Sequence, residues 1–210
     1  MTEDLVTTAV DLPGGSLRIL QPEESAGLPD AGGIEWAPIA PYWSVLWRSG
    51  VALAQELTWL ELRGIRIVEL GCGLGVPSIV AARGGARVLA SDSEPEAVEL
   101  AARNAAENGA ELETAVASFE QPGQLVERAP FDLALGADLL YEQSSVEPLL
   151  DLLPRLAPQA LITTPDREPA RHFLEQAGRR WRVEAWQRGV ISVHRLRFAA
   201  DDVEAATRAS

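Results

Sequence analysis

Two short segments carry residue types at spacings that suit chemistry. In VELGCGLGVPS, residues 68–78, Gly71, Gly73 and Gly75 follow an apolar run and precede a helical one. Missing side chains there let the backbone turn sharply and approach a ligand. The spacing is G-x-G-x-G rather than the G-x-G-x-x-G of dinucleotide sites, and Glu69 stands two residues ahead of the first glycine, where a pyrophosphate would meet a carboxylate. In LGADLLY, residues 135–141, Asp138 and Tyr141 follow a second apolar run. A carboxylate and a phenol at a strand end can orient a polar acceptor and shape its slot.

The chain contains no lysine, so all 18 of its basic residues are arginine. That removes the phosphate-loop lysine, the Schiff-base lysine and the lysine general base. A ligand that is cationic and free of phosphate fits the glycine loop better, and S-adenosylmethionine has an ammonium, a sulfonium and an adenosine. Glu69 would offset its cationic end, and Asp92, at the tip of the next apolar run, is placed to accept hydrogen bonds from both ribose hydroxyls. Cys72 reads as a small residue in a tight turn. The two histidines, His172 and His194, lie far apart in sequence without a cysteine or carboxylate cluster, so no metal site is expected.

The elements that must position these residues are legible as alternating patterns. Residues 65–70, 86–92, 111–118, 131–138 and 159–164 read as strands; 76–85, 93–109, 145–157 and 167–178 read as helices. Ser93 is the expected start of the second helix, and Pro154 is expected to kink or end the third. Residues 181–187 and 190–198, separated by Arg188-Gly189, form a closing hairpin. Strands separated by helices predict a doubly wound α/β fold, a mostly parallel seven-stranded sheet with a C-terminal antiparallel hairpin. Residues 5–20 predict a separate N-terminal β-hairpin. The expected division is 1–33 as hairpin and loop, 34–200 as the catalytic domain and 201–210 as a frayed tail.

PYWSVLWRSG, residues 41–50, concentrates Tyr42, Trp43 and Trp47. At four-residue spacing two of these share a helix face, and that helix is expected to fold over the strand ends. There Trp47 would meet a cationic sulfonium through its ring face, Trp43 would meet acceptor or core, and Tyr42 is expected to pack. Glu35, just before this segment, could meet a basic substrate.

The net charge of −13 argues against a nucleic-acid partner, which needs clustered positive charge. It suits a basic partner instead. No apolar run reaches the ~18 residues of a membrane helix, and the acidic start is unlike a signal peptide. With a single cysteine, the expectation is a soluble cytoplasmic protein with no membrane partner.

The motif Glu69-Leu-Gly-Cys-Gly-Leu-Gly75 followed by Asp92 resembles the class I, seven-strand S-adenosylmethionine-dependent methyltransferases. Asp138-Leu-Leu-Tyr141 is similar to the Asp-x-x-Tyr signature of the family 16 protein-lysine methyltransferases, and PYWSVLWRSGVALAQEL is similar to a segment of the electron-transfer-flavoprotein β-subunit lysine methyltransferases. The resemblance covers about residues 40–178. It implies the methyltransferase fold, S-adenosyl-L-methionine as cofactor and an amine acceptor. By position it implies cofactor contacts from Trp47, Gly71, Cys72 and Gly73, ribose contacts from Asp92, and a pocket wall at Ala137. Ser118-Phe119 stands where the family has a polar residue and tryptophan, so adenine would stack on Phe119. Asp138 would orient the acceptor and Tyr141 shape its slot. The acceptor is a protein lysine, a protein amino terminus or a small amine, and a catalytically silent partner subunit is the reading from another class. The resemblance to residues 164–167 is too loose to assign them.

Overall fold

In the computed structural model, which describes residues 4–28 and 41–199, two sheets are present. Strands β1 (Leu5–Leu12) and β2 (Gly15–Pro22) form the antiparallel N-terminal hairpin. The main sheet contains β3 (Arg66–Leu70), β4 (Arg87–Asp92), β5 (Glu113–Val116), β6 (Leu133–Ala137), β7 (Gln159–Pro165), β8 (Arg182–Arg188) and β9 (Ile191–Arg197). Their order is β5-β4-β3-β6-β7-β9-β8, parallel from β5 to β7, with β9 antiparallel between β7 and β8. The expected seven-stranded sheet and both hairpins are present.

The central strands are apolar on both faces because helices cover both. On one side lie α1 (Arg48–Leu57), α2 (Val76–Arg83) and α3 (Pro95–Glu107); on the other α4 (Gly123–Arg128), α5 (Val146–Leu156) and α6 (Glu168–Arg180). Helix α5 buries Val146, Leu149, Leu150, Leu153 and Leu156, spaced to share one helical stripe against the sheet. Pro154 does not end it; the helix runs two residues further, and burial of Leu153, Pro154 and Leu156 offsets the hydrogen bond that the proline removes. Helix α3 begins at Pro95 rather than Ser93, since the two preceding residues serve the tip of β4.

The aromatic segment departs from expectation. Tyr42–Ser44 is a single 3₁₀ turn, Val45 is extended, and α1 begins only at Arg48, with Trp47 as its extended N-cap. Trp43 and Trp47 therefore do not share a helix face. The proline before the turn and the β-branched Val45 favour the non-helical path. Glu35 and the 201–210 tail lie outside the described residues.

Strand order changes direction at β3, whose neighbours are β4 and β6, so the carboxyl ends of these strands border a crevice. The spacing of α2 and α3 beside it depends on Gly75, the N-cap of α2, which has φ +80° and would place a Cβ 3.0 Å from Ala101 of α3. Gly75→Ala is expected to lower the unfolding free energy by about 1–3 kcal/mol through backbone strain and this contact. Urea denaturation of the two proteins measures it.

Candidate active site

The turn after β3 is built from glycines with positive φ, and most of the space they leave is filled by the protein itself. A Cβ on Gly71 (φ +61°) would stand 2.6 Å from Cδ2 of Leu139, and one on Gly136 would meet the same side chain. Gly73 (φ +48°) lies under the backbone carbonyl of Trp43, which a Cβ would approach to 2.8 Å. The glycines thus seat Leu139 and the aromatic turn against the loop, which also borders the cavity described below. Gly75 N–H donates to the Cys72 carbonyl (2.7 Å), and Cys72 N–H to Ser91 of β4 (2.9 Å).

Two buried carboxylates frame the loop. Asp92 ends β4, accepts the Gly73 N–H on Oδ2 (2.9 Å) and the Glu94 N–H on Oδ1 (3.1 Å). Burial raises its pKa above the ordinary carboxylate value, against those hydrogen bonds. Glu69 is 1% exposed and its Oε2 accepts both the backbone N–H (2.9 Å) and the hydroxyl of Ser78, in the first turn of α2. Its first task is to cap that helix, which a carboxylate at an N-terminus does well. Burial nevertheless pushes its pKa to about 8, with the Ser78 hydrogen bonds opposing. Cys72 is buried, and burial raises its thiol well above the ordinary range, which leaves it a packing residue.

These groups open onto one cavity of about 1000 Å³. Twelve of the candidate site residues read from the sequence line it: Trp43, Trp47, Glu69, Gly71, Cys72, Gly73, Asp92, Ser118, Phe119, Ala137, Asp138 and Tyr141. Trp47 is partly buried and its indole N–H donates to the Tyr42 carbonyl (2.8 Å). Trp43 packs partly into the apolar cluster below the loop. Phe119 likewise packs on the core under α5, and Ser118 Oγ accepts the Gln121 N–H (3.2 Å).

Three further residues belong to the site. Tyr42 does not pack into the core; it is 48% exposed, lines the cavity and stacks on Tyr141 with ring centroids 6.1 Å apart. Its exposure follows from the 3₁₀ turn, which no helical spacing rule could reveal. Arg167, at the N-cap of α6, embraces Asp138 with both guanidinium nitrogens (3.2 and 3.3 Å). Leu139 is the residue that both Gly71 and Gly136 accommodate. Asp138 itself has φ +56°, rare for a non-glycine, and its N–H donates to the Thr163 carbonyl (2.8 Å). This conformation brings the carboxylate against Arg167. Tyr141 is 51% exposed, and its phenol is raised by partial burial and by Glu142, Asp92, Glu120 and Asp138. Among the described residues no His, Cys, Asp and Glu group of metal-binding size occurs.

Comparison with known proteins agrees with this geometry. A family model described as lysine methyltransferase, methyltransferase family 16, matches residues 42–179, and the chain belongs to that family. Zebrafish protein N-lysine methyltransferase METTL21A is 33% identical over 121 residues, 54% of this chain and 55% of that protein. The electron transfer flavoprotein beta subunit lysine methyltransferase of Xenopus laevis is 34% identical over 125 residues, 57% and 49% of the two chains. The chain spans about half the length of the curated relatives it matches. Among solved structures, the Thermus thermophilus 16S rRNA N2 G1207 methyltransferase in complex with AdoMet and guanosine superposes with a TM-score of 0.64 at 16% identity, covering 93% of this chain and 51% of that one. The fold is that of the class I methyltransferases, whose cofactor is S-adenosyl-L-methionine.

The cavity suits that cofactor: the glycine turn borders it, Asp92 at the tip of β4 would receive the ribose hydroxyls, and Glu69 would face the cationic end. A Glu69 facing that end would make binding pH-dependent. With its pKa raised to about 8, an approaching cation would favour its carboxylate, so binding would release a proton and tighten as pH rises toward 8. Calorimetry at pH 7 in buffers of different ionisation enthalpy is expected to show net proton release, and Glu69→Gln to abolish it.

Proposed function

We propose that this protein is an S-adenosyl-L-methionine-dependent N-methyltransferase whose acceptor is a lysine, or an amino terminus, of a cytoplasmic protein. The observation that carries the acceptor assignment is the form of the cavity mouth. Tyr42 and Tyr141, each about half exposed, meet there as a stacked pair, and Glu120, Glu142 and Asp138 line the same cavity. A cavity bordered by exposed rings admits an extended side chain carried on a larger molecule. A small-amine enzyme would be expected to enclose its acceptor, and a silent partner subunit would not need a cavity of this size. The net charge of −13 favours a basic protein surface.

Bound in the cavity, S-adenosyl-L-methionine supplies a methyl group already activated by a sulfonium. The protein's share of the work is to align an unprotonated amine and exclude water. Bringing a lysine from a pKa near 10.4 to neutrality at pH 7 costs about 4–5 kcal/mol. The rings of Tyr42 and Tyr141 strip water from an amine passing beside them and lower that figure, while nearby carboxylates raise it. Arg167 moderates the carboxylates: its guanidinium offsets the charge of Asp138, so that Asp138 can accept a hydrogen bond from a neutral amine without holding it as ammonium. The departing proton has a route to water through the same open mouth.

Two measurements test this. Labelled S-adenosyl-L-methionine incubated with the protein and a size-separated cell extract is expected to mark discrete protein bands; label confined to small molecules would favour the small-amine reading, and absence of label the silent one. Asp138→Ala is expected to lower turnover by about 10²-fold or more while cofactor affinity stays within a few-fold. Unchanged turnover would remove Asp138 from the mechanism.

A further inference from the structure

Asn104 of α3 takes no part in the chemistry and is completely buried, yet its side-chain amide joins three distant backbone groups. Its Oδ1 accepts the Leu20 N–H (2.7 Å), and its Nδ2 donates to the Leu20 carbonyl (3.1 Å) and to the carbonyl of Leu74 (3.0 Å). Asn108, one helical turn on, repeats the first two contacts with Arg18, accepting its N–H (2.9 Å) and donating to its carbonyl (2.8 Å). Alternate residues of a strand present their backbone groups to the same edge. Two amides of α3 therefore pair the outer edge of β2 as a neighbouring strand would. Only Asn104 continues to Leu74, the residue between Gly73 and Gly75 in the turn after β3.

The apolar packing runs the same way. Val10, Leu17 and Ile19 of the hairpin share a buried cluster with Leu74, Ile79 and Leu100. Past β2, the buried Ser25 and Ser44 hydroxyls hydrogen-bond (2.6 Å), which ties the hairpin's continuation to the turn whose Trp43 carbonyl lies over Gly73. The hairpin thus holds the glycine turn at two places, through Asn104 from beneath and through Ser44 from above.

We propose that the N-terminal hairpin is a clamp on the cofactor loop and that Asn104 is the positioning residue through which it acts. The proposal rests on the reading of this loop as the S-adenosyl-L-methionine site. Gly73 and Gly75 have many accessible conformations, and the Leu74 carbonyl between them is fixed by a donor that is itself fixed by β2. Without that donor the carbonyl is left buried and unpaired, and the loop relaxes to regain a partner. The task needs an amide, because Asn104 uses its acceptor and donors together; serine is too short to reach both sides.

The test compares Asn104→Ser with Asn108→Ser, which removes the matching pair of contacts to β2 but does not touch the loop. Unfolding temperature and S-adenosyl-L-methionine Kd are measured on both. Asn104→Ser is expected to weaken cofactor binding about tenfold, and Asn108→Ser to change it less than about twofold. An unchanged Kd in folded Asn104→Ser, or equal weakening in both variants, would overturn the clamp. Should Asn104→Ser fail to fold, amide hydrogen exchange of the wild-type protein decides. Added cofactor is expected to slow exchange at Leu20 along with the glycine loop, and protection confined to the loop would contradict the proposal. Failure of the wild-type protein to bind cofactor at all would be seen before any substitution, and would remove the cofactor reading together with the clamp built on it.

Discussion

The backbone of residues 71–75 must turn from a central strand into a helix through three glycines with positive φ, and much of the molecule is arranged around that turn. Leu139 occupies the space beside Gly71 and Gly136, the Trp43 carbonyl lies over Gly73, and α3 approaches Gly75 at Ala101. Each contact excludes a Cβ, so the glycines are required by internal packing before any ligand is considered. The same contacts fix the shape of the loop where it borders the cavity. Leu139 also couples the turn to Asp138, the next residue back, so that the cofactor loop and the proposed acceptor carboxylate are set by one side chain.

Electrostatics follow from the geometry of the strand ends. Glu69 and Asp92 are buried at neighbouring tips, where desolvation raises both and hydrogen bonds from Ser78, Gly73 and Glu94 restrain the rise. Such carboxylates are poorly matched to a phosphate and well matched to a cation. Asp138 is handled differently, by ion pairing with Arg167. One cavity thus contains two carboxylates restrained by backbone donors and one by a guanidinium, which suits a cationic cofactor on one side and an amine on the other.

The sheet was legible in the sequence because its central strands are continuous apolar runs separated by helices with clear ends. The glycine loop, Asp92 and Asp138 were legible for a related reason: strand tips in this architecture converge on one crevice, so chain order supplies position. Tyr42 was not, since a helical spacing rule was applied to a segment that Pro41 and Val45 keep out of a helix. Arg167 was invisible because its significance is an ion pair with a residue 29 positions away. Asn104 and Asn108 read in the sequence only as parts of a helix and its stop, and nothing in the pattern announced that they pair with β2. Ser93 resembled an N-cap by type, but the tip of β4 claims that stretch for Asp92.

Family membership accounts for the fold and the cofactor, and the cavity mouth supports a protein amine as acceptor. S-adenosyl-L-methionine is proposed to bind where the glycine turn borders the cavity, with Asp92 beside it. Isothermal titration of the protein with S-adenosyl-L-methionine, alongside Asp92→Ala, tests it most directly. One site per chain with submillimolar Kd, weakened about tenfold or more when the ribose carboxylate is removed, is the expected result. No detectable binding to the wild-type protein, or identical binding to both, would contradict it.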